Sequence, residues 1–593
     1  MLQAIPIGIS DFRKLREAGC EYVDKTNLIT ELVDQSGAEV VLLPRPRRFG
    51  KTINLSMLRW FFEKREENLW HLFEGLHVAR AGEKYRAHFQ QYPVILVSFR
   101  GTKANTFAEC WAKIKSIIQE VYKEHAPSVE GRLAAVDEAE FQSILQGTAP
   151  DVMYGLALYR LSRYLRIAHN KPPIILIDEY DAPIHSGYGQ GYYQEVVGFF
   201  RSFLESALKD NPHLERAVLT GILRVSKESI FSGLNNIAVY SLLERNFSTC
   251  FGFTETEVDV LLEKGGLTQL KEAVRSYYDG YEFGGHSIYN PWSILSFLNS
   301  QSKQLQPYWI NTSANDLVKD LLVWHAFAVQ DDIQTLLMGE SIEKDLNENI
   351  VFTELKDDSS ELWSLLVFTG YLKATSGPIV IGARRKPFWL SIPNEEVNQV
   401  YRTTFQSWMK KSLQVQGGAL DALLAALLAG KVPEFEAQLQ AFAMYCTSFH
   451  DLNAHSPERF YHGLMIGLLA ALEPAYEVRS NRESGEGRPD VLIKPRRPGK
   501  PGVVMELKSA GPKKSLRRAL DEGHAQLHKH DYLAELRAAG VEKMHALVIA
   551  FDGKKVRVEV AKPPPKKSHK RGAQKTTPKV TRTQSTKRST SRR

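Results

Sequence analysis

The chain has 593 residues, 43% of them hydrophobic and 24% charged, with a formal net charge of +8. Its length exceeds the needs of a single core and predicts about three to five domains, and the lack of a run of about 18 apolar residues predicts no membrane span. Four isolated cysteines without a Cys-x-x-Cys pair argue against structural zinc and indicate a reducing compartment. The N-terminus also lacks the basic-then-apolar pattern of a secretory signal, so we expect a cytoplasmic protein.

A phosphate-binding loop is predicted near the start of the chain. Val40–Leu43 has the composition of a buried strand, and apolar residues recur at helical spacing from Leu55 onward. Gly50-Lys51-Thr52 lies between them, in the strand–loop–helix context that such a loop requires. We expect backbone N–H groups and the helix N-terminus to cradle the phosphates of ATP. Lys51 would then reach the β- and γ-phosphates, and the Thr52 hydroxyl would hold Mg²⁺.

This loop departs from the usual pattern at one position. The first glycine of Gly-x-x-x-x-Gly-Lys-Thr falls at Arg45, and Arg47 and Arg48 add further positive charge. Two interpretations stay open. Either the extra cations strengthen phosphate binding, or the altered loop is a poor cradle.

Acidic residues follow a second buried strand, Ile174–Ile177. Ligands of parallel α/β sheets bind at the edge where such strands end. Asp178 is therefore expected to coordinate Mg²⁺, directly or through water, and Glu179 to act as the base that polarises the attacking water. The alternative is that two acids merely cap a strand.

Two further strands, residues 93–99 and 216–221, fit the same parallel sheet with right-handed crossovers. Thr220, at the end of the second of these strands, is a candidate sensor of the γ-phosphate. Arg224 is a candidate arginine finger that acts in cis or in trans. Each residue has a structural role as its alternative, and a homo-oligomeric ring would follow only if Arg224 acted in trans.

The middle of the chain gives weaker patterns. Helical spacing of apolar residues after Thr254 predicts a helical lid over the nucleotide. An aromatic cluster at residues 277–283 predicts either base stacking or, preferably, packing at a domain junction. A helical segment at 361–372 followed by strands near 388–392 suggests a winged-helix-like module.

A β-hairpin with three charged residues is predicted near the C-terminus. Asp490 precedes an apolar run, and Val503–Lys508 follows a Pro/Gly-rich turn. Side chains alternate along a strand, so Glu506 and Lys508 share a face and Asp490 can meet Glu506 across the hairpin. Paired carboxylates suit Mg²⁺ or Mn²⁺, and the lysine could orient a metal-activated water toward a phosphate. The pattern is typical of a metal-dependent phosphodiesterase.

Positive charge is concentrated at the end of the chain. Residues 562–593 contain 12 of the 76 Lys and Arg residues and no Asp or Glu, which leaves 64 basic and 68 acidic residues, a net charge of −4, in the rest. A Pro/Ser/Thr/Lys-rich segment of this kind cannot build a core. We predict a disordered tail that binds nucleic-acid phosphate, directs the chain to the nucleus of a eukaryotic host, or only solubilises it.

Several segments of the N-terminal half together resemble the AAA-ATPase-like family. In that family the phosphate loop commonly begins Arg-Pro-Arg-Arg, so Arg45 is a family trait, and the ATPase is often joined to a C-terminal PD-(D/E)xK domain. The resemblance covers about residues 5–560 and rests on Ile7–Ile9, Asp11-Phe12, Tyr22–Thr26, Arg45–Thr52, Ile177–Asp181, Thr220–Ile222, Ser229–Asn236, Tyr278–Tyr281 and Ile288–Pro291.

The C-terminal hairpin is similar to the PD-(D/E)xK nuclease core. By that resemblance, Glu458 is the extra acid that such folds often place on their first helix, and Gln526 and Tyr532 fall on the helix after the Glu-x-Lys strand. The alternative is that Glu-x-Lys is a common surface sequence. Folds of this kind can also lose activity while they keep their shape.

These observations predict an α/β protein in which a P-loop NTPase sheet with a helical lid precedes a PD-(D/E)xK nuclease-like domain. The expected function is ATP-controlled cleavage of nucleic acid, DNA in preference to RNA, with Mg²⁺ or Mn²⁺ at the nuclease site. The alternatives are a nucleotide-switched binding protein with an inactive nuclease fold, and an ATP site without turnover. The predicted boundaries are 1–253 (ATPase), 254–345 (lid), 346–440 (linker or winged-helix-like module), 441–561 (nuclease-like) and 562–593 (tail).

Overall fold

In the residues that it describes, the computed structural model contains two five-stranded sheets and two three-stranded sheets, connected by helices. Within the part of the chain that it describes, no helix is both long and apolar enough to cross a membrane. The described residues are 2–35, 37–224, 230, 234–309, 316–376, 387–412, 419–446, 461–462, 465, 468–472, 475–480, 489–510, 515–529, 532–552 and 555–561.

The N-terminal sheet is entirely parallel, with the strand order β2-β3-β4-β1-β5. Its strands are β1 (Val40–Pro44), β2 (Val94–Ser98), β3 (Ile174–Asp178), β4 (Arg216–Gly221) and β5 (Ile237–Val239). Strands β1 and β3 are buried along their whole length, as uninterrupted apolar runs require when helices cover both faces. The predicted P-loop sheet is confirmed.

Helices pack on both faces of this sheet. Val40 and Leu42 of β1 belong to one hydrophobic core, and Val41 and Leu43 belong to the other, because successive side chains of a strand point to opposite faces. The helices of this part are Phe12–Glu17, Asn27–Asp34, Lys51–Phe62, His77–Arg80, Glu83–Arg86, Phe107–Val129, Ala135–Leu145, Asp151–Gly155, Ala157–His169, Ala182–Gln190 and Tyr193–Leu208.

Among the described residues, the first part of the predicted lid, up to Asn299, contains three α-helices and also a small antiparallel sheet that begins at Phe253. The sheet has the order β6-β8-β7, and its hairpin turns at Gly284 and Gly285, which both adopt positive φ. Strands of two to four residues are too short to give a period-two pattern, so helical spacing alone was visible in the sequence. The elements are β6 (Phe253–Thr254), β7 (Tyr281–Phe283), β8 (His286–Tyr289) and the helices Glu255–Lys264, Lys271–Tyr278 and Pro291–Asn299.

The aromatic cluster of this region is packed rather than open to a base. Tyr278, Tyr281 and Phe283 are buried. Phe49 of the phosphate loop meets the rings of Tyr281 and Phe283 at 5.0 and 5.2 Å. The hydroxyl of Tyr277 accepts a hydrogen bond from Gln399. These contacts favour the domain-junction interpretation over base stacking.

A module of helices and a three-stranded antiparallel sheet follows. Its sheet has the order β10-β11-β9, so β9 pairs with β11 although the predicted boundary at 345/346 separates them. Residues 361–368 of its third helix are all buried, so this helix presents no open face to a nucleic acid. The winged-helix interpretation stays a prediction. The elements are Asp316–Trp324, Ala326–Leu337, β9 (Ile342–Lys344), Ser359–Phe368, β10 (Lys373–Ser376) and β11 (Phe388–Ser391).

The C-terminal sheet has the order β12-β13-β14-β15-β16, with β14 and β15 parallel and the other pairs antiparallel. The helix Val432–Cys446 packs on it, because Glu436 and Gln440 accept hydrogen bonds from the backbone of β16. The predicted boundary at 440/441 therefore falls inside a helix of this unit. The elements that follow β11 along the chain are Glu395–Ser412, Ala419–Ala429, Val432–Cys446, β12 (Tyr476–Ser480), β13 (Val491–Pro495), β14 (Gly502–Ser509), Leu516–Lys529, Ala534–Ala538, β15 (Met544–Asp552) and β16 (Lys555–Val560).

Candidate functional site

The predicted phosphate loop joins β1 to the helix Lys51–Phe62. Gly50 precedes this helix with φ +86°, a conformation that glycine adopts without steric cost. The Lys51 Nζ donates to the carbonyl oxygens of Arg45 and Pro46, both at 2.9 Å. Burial lowers the pKa of Lys51, whereas the nearby carboxylates of Glu179 and Asp178 oppose that effect. The ammonium group thus lies inside the loop, beside the acids predicted to act with it.

Asp178 is the centre of a buried hydrogen-bonded group. Its Oδ2 accepts from the Thr52 hydroxyl and its Oδ1 accepts from the Thr220 hydroxyl, both at 2.8 Å. Thr220 reaches Asp178 because β4 lies between β1 and β3. The structure therefore brings together three residues that the sequence assigned to the nucleotide site.

Glu179 lies next to this group in a strained conformation. Its φ is +51°, which is uncommon for a residue other than glycine and is found at functional sites. Burial and the neighbouring Asp178 raise the pKa of Glu179, against the lowering effect of Lys51. A carboxylate with a raised pKa is better suited to accept a proton from water.

A cavity of about 480 Å³ opens beside these residues, within the range of ligand pockets. Lys51, Thr52 and Glu179 line it. Further lining residues come from the N-terminal segment, the phosphate loop, the loop after β2, the segment after β3 and the lid. They include the cations Arg47, Arg48, Arg100 and Lys103, the acid Asp181, and the apolar residues Ile9, Pro291, Trp292 and Leu295.

Arg224 is not among the residues that line this cavity. Its Nε is buried and has no hydrogen-bond partner in the described part of the chain. The cavity therefore gives no support to action of Arg224 in cis. Action in trans stays a prediction.

Two residues that line this cavity, Arg100 and Asp181, were not among the predicted site residues. Arg100 follows β2 and lines the cavity with Glu179. Burial alone would raise the pKa of Asp181, but hydrogen bonds from His185 and the N–H groups of Leu223 and Ile222 hold it below its ordinary value. Asp181 thus fixes the segment that follows β4. The sequence signal that could have identified Asp181 is its position in the acidic run after β3.

Arg45 points away from the cavity and into the core. Its guanidinium donates to the carbonyl oxygens of Pro44, Tyr240 and Phe247 at 2.8 to 3.0 Å. It also lies 5.2 Å from the ring of Phe251. Burial lowers the pKa of Arg45 to about 10. Its position in the motif therefore serves the architecture of the loop and adds no charge to the phosphate cavity.

Arg45→Gly introduces the glycine that phosphate-binding loops usually have at this position. We nevertheless expect this change to destabilise the protein by about 3 to 5 kcal/mol. Three buried carbonyl groups would lose their donor, and the side-chain volume would become a cavity. Chemical denaturation followed by fluorescence measures the change. The exposed Arg80, replaced by Ala, is the control and should alter stability by less than about 0.5 kcal/mol. Equal stability of the two variants would contradict this role of Arg45.

The C-terminal hairpin has the predicted register. Val491 pairs with Met505 in the antiparallel β13–β14 ladder, which places Asp490 opposite Glu506. The Asp490 Oδ2 accepts from the backbone N–H of Leu507 at 2.8 Å. The Lys508 Nζ lies 2.7 Å from Glu506 Oε1 and 3.8 Å from Asp490 Oδ2. The three predicted side chains thus form one cluster.

Glu506 is fully buried, and this burial, with the adjacent Asp490, raises its pKa against the effect of Lys508. Its Oε2 has no hydrogen-bond partner in the described residues. A buried carboxylate oxygen without a donor is costly, and a divalent cation would compensate for it. The pair Asp490 and Glu506 therefore fits Mg²⁺ or Mn²⁺, for which water and phosphate oxygens complete the ligands. No group of three or more His, Cys, Asp or Glu side chains is arranged for a metal in the described residues.

The other predicted nuclease residues have different outcomes. Glu458 lies outside the described residues. Gln526 is on the helix Leu516–Lys529, whereas Tyr532 lies beyond its end, so the two are not on one helix as predicted. They are nevertheless hydrogen-bonded, and burial together with Glu506 raises the pKa of Tyr532. His462 had no predicted role, and its Nε2 is 3.2 Å from the carbonyl oxygen of Asp490.

Comparison with known proteins agrees with both resemblances. Residues 6–231 match the family described as predicted AAA-ATPase, and residues 456–561 match the PD-(D/E)XK nuclease superfamily. A protein of Azotobacter chroococcum mcd 1, named "Uncharacterized protein in vnfD 5'region", is 30% identical over 563 residues. The match covers 92% of this chain and 96% of that protein, so the relative shares the arrangement from the ATPase to the nuclease-like domain.

Proposed function

Because this chain belongs to the family of predicted AAA-ATPases that carry a C-terminal PD-(D/E)XK nuclease superfamily domain, we propose that it hydrolyses ATP and cleaves nucleic acid. ATP would control the cleavage, and DNA is the expected substrate. The observation that carries this proposal is the presence of two separate sites for phosphate chemistry. One is the cation-lined cavity beside Lys51 and Glu179. The other is the partly buried cluster of Asp490, Glu506 and Lys508.

At the nucleotide site, the chain itself binds the phosphates and accepts the proton. Lys51 and Arg100 neutralise phosphate charge from the walls of the cavity. Asp178 holds the Thr52 hydroxyl in place, and Glu179 takes a proton from the attacking water. Mg²⁺ bound beside Thr52 and Asp178 would neutralise charge on the β- and γ-phosphates.

At the nuclease site, the hairpin aligns a phosphodiester and a water molecule. Asp490 and Glu506 would hold the divalent cation, which lowers the pKa of water and neutralises the phosphate. Lys508 is fixed by Glu506, and its ammonium orients the nucleophile and stabilises negative charge as it develops. Glu458 remains a proposed additional acid of this site.

Lys508→Ala is expected to lower metal-dependent cleavage at least about 100-fold, because it removes the ammonium group that lies beside both Asp490 and Glu506. The assay uses the purified full chain with labelled single- and double-stranded DNA and RNA. Mg²⁺ or Mn²⁺ is supplied with and without ATP. Lys555→Ala is the matched control, since Lys555 is an exposed lysine on another strand of the same sheet.

The result separates the candidate functions. Cleavage by the wild type and by Lys555→Ala, its loss in Lys508→Ala and a change with ATP would support the proposal and identify the substrate. Cleavage that survives in Lys508→Ala would contradict the site assignment. Lack of cleavage under every condition would favour the alternative, a nucleotide-switched binding protein whose nuclease fold is inactive.

A further inference from the structure

One carbonyl group of the phosphate loop is held by the lid. The Arg47 oxygen accepts hydrogen bonds from Trp309 Nε1 at 3.2 Å and from Asn290 Nδ2 at 3.4 Å. Asn290 is also the N-cap of the helix Pro291–Asn299. Trp292, the second residue of that helix, lines the nucleotide cavity and stacks 4.0 Å from the guanidinium of Arg48. The lid therefore contacts the phosphate loop at two places, the carbonyl group of Arg47 and the side chain of Arg48.

The hydrogen bonds to the Arg47 carbonyl also affect the orientation of a backbone N–H group in the phosphate loop. A peptide unit is planar and trans, so the C=O of Arg47 and the N–H of Arg48 point in opposite directions. When Trp309 and Asn290 fix the carbonyl, they also fix the N–H of Arg48, a residue of the cavity wall. Backbone N–H groups of such loops bind phosphate oxygens. The orientation of this single peptide unit therefore affects nucleotide affinity.

A buried carboxylate fixes the lid side chains in turn. Glu396 is 0% exposed. Its Oε1 accepts from the backbone N–H of Trp309 at 2.6 Å, and its Oε2 accepts from the hydroxyl of Ser293 at 2.8 Å. Burial raises the pKa of Glu396 to about 7. A carboxyl group that is costly to bury is retained here at the junction of the two lid segments that hold the loop.

Glu396 also belongs to an element that reaches the C-terminal half. It is the second residue of the helix Glu395–Ser412, which packs against the short helical turn Ala470–Leu472 ahead of β12. From the same helix, the Tyr401 hydroxyl donates to the carbonyl of Tyr371, whose ring packs 5.3 Å from Trp309. The helix thus contacts both the lid residues that hold the phosphate loop and the nuclease-like unit.

We infer that Glu396 is a positioning residue of the nucleotide site, which acts through Trp309 on the peptide unit between Arg47 and Arg48. This inference rests on the proposed function, in which the loop binds ATP. Glu396 lies on a helix that contacts the nuclease-like unit, so nucleotide in the loop and the position of that helix influence each other reciprocally. The arrangement gives ATP a physical route to the nuclease.

Trp309→Phe tests the inference because it removes the indole N–H and keeps the aromatic ring. We expect the Kd of the full chain for a fluorescent ATP analogue with Mg²⁺ to rise about fivefold, the value of one hydrogen bond. Trp324→Phe is the matched control, since Trp324 Nε1 also donates to a carbonyl, that of Lys356, on the exposed surface. Its Kd should match the wild type.

Variants of Glu396 separate positioning from general stability. Glu396→Gln can still accept from the Trp309 N–H and donate to Ser293, so its Kd should stay within about twofold of the wild type. Glu396→Ala should weaken binding about as much as Trp309→Phe, and the double variant should be no weaker than the single ones, because the two residues act in series. If ATP is hydrolysed, KM should rise more than kcat falls.

Three results would overturn the inference. The first is nucleotide binding by Trp309→Phe as tight as that of Trp324→Phe. The second is additive weakening in the double variant. The third is a lowered melting temperature of both Trp309→Phe and Glu396→Ala without nucleotide, combined with an unchanged Kd, which is the result for a merely structural role. Failure of the wild type to bind the analogue would instead contradict the proposed function, and the inference with it.

Discussion

Glu179→Gln is expected to lower ATP hydrolysis at least about 100-fold, the usual effect of losing a general base. The amide has the shape of the carboxylate but cannot take a proton from water. Nucleotide affinity should stay within about threefold of the wild type, because Lys51 and the other cations of the cavity remain in place. The variant should therefore hold ATP without turnover. Phosphate release and retention of radiolabelled ATP on the protein measure the two effects.

The matched control is Glu195→Gln, an exposed glutamate on the helix Tyr193–Leu208. It should hydrolyse ATP like the wild type. Retained hydrolysis in Glu179→Gln would remove Glu179 from the mechanism. Equal loss of affinity and turnover would instead indicate that Glu179 shapes the cavity, as its strained backbone at φ +51° also permits. A wild type that binds ATP and never hydrolyses it would support the third alternative from the sequence.

The positions of the two sites were predictable because each follows from a strand pattern. Uninterrupted apolar runs predict parallel strands buried on both faces, and a residue that follows such a strand lies at the carboxyl edge of the sheet. That rule predicted Asp178 and Thr220 at this edge, and the structure joins their side chains by a hydrogen bond. The period-two alternation of side chains along a strand likewise predicted that Asp490 and Glu506 face each other across their hairpin.

The environment of those residues was not predictable from local patterns. A charged residue in a loop is usually exposed, yet Arg45 is buried, with carbonyl partners 195 and 202 positions away. The Glu396 contact with Trp309 spans 87 positions. Such contacts depend on how separate units pack, and the spacing of residues along a single sequence does not predict them. A strand as short as Phe253–Thr254 also has too few residues to show a periodic pattern of apolar side chains.

Glu506→Gln is expected to lower cleavage at least about 1,000-fold and to make the metal-free protein more stable. The activity falls because one of the two carboxylates for the cation becomes a neutral amide. Stability rises because Glu506 is a fully buried carboxylate beside Asp490, and both conditions raise its pKa. Because the raised pKa means that the folded protein favours the protonated, neutral form of Glu506, a neutral isostere should stabilise the fold by about 1 to 3 kcal/mol at pH 8.

The sign of the pH dependence follows from that raised pKa. Folded Glu506 binds its proton more tightly than the unfolded chain does, so the wild type loses stability as the pH rises through the folded pKa. The Gln variant has no such loss from this position. Its advantage, measured by chemical denaturation in a chelator, should therefore be largest near pH 8 and shrink toward pH 5. The exposed Glu542, replaced by Gln, is the control and should show neither effect.

Metal-induced stabilisation distinguishes a cation site from a merely structural cluster. A cation that binds only the folded wild type raises its melting temperature in proportion to the logarithm of the metal concentration. Mn²⁺ should produce this shift in the wild type and in Glu542→Gln but not in Glu506→Gln. If Mn²⁺ shifted all three proteins equally, the cation would bind elsewhere. The hairpin would then be a self-neutralised cluster in which Lys508 compensates Glu506, as an inactive nuclease fold requires.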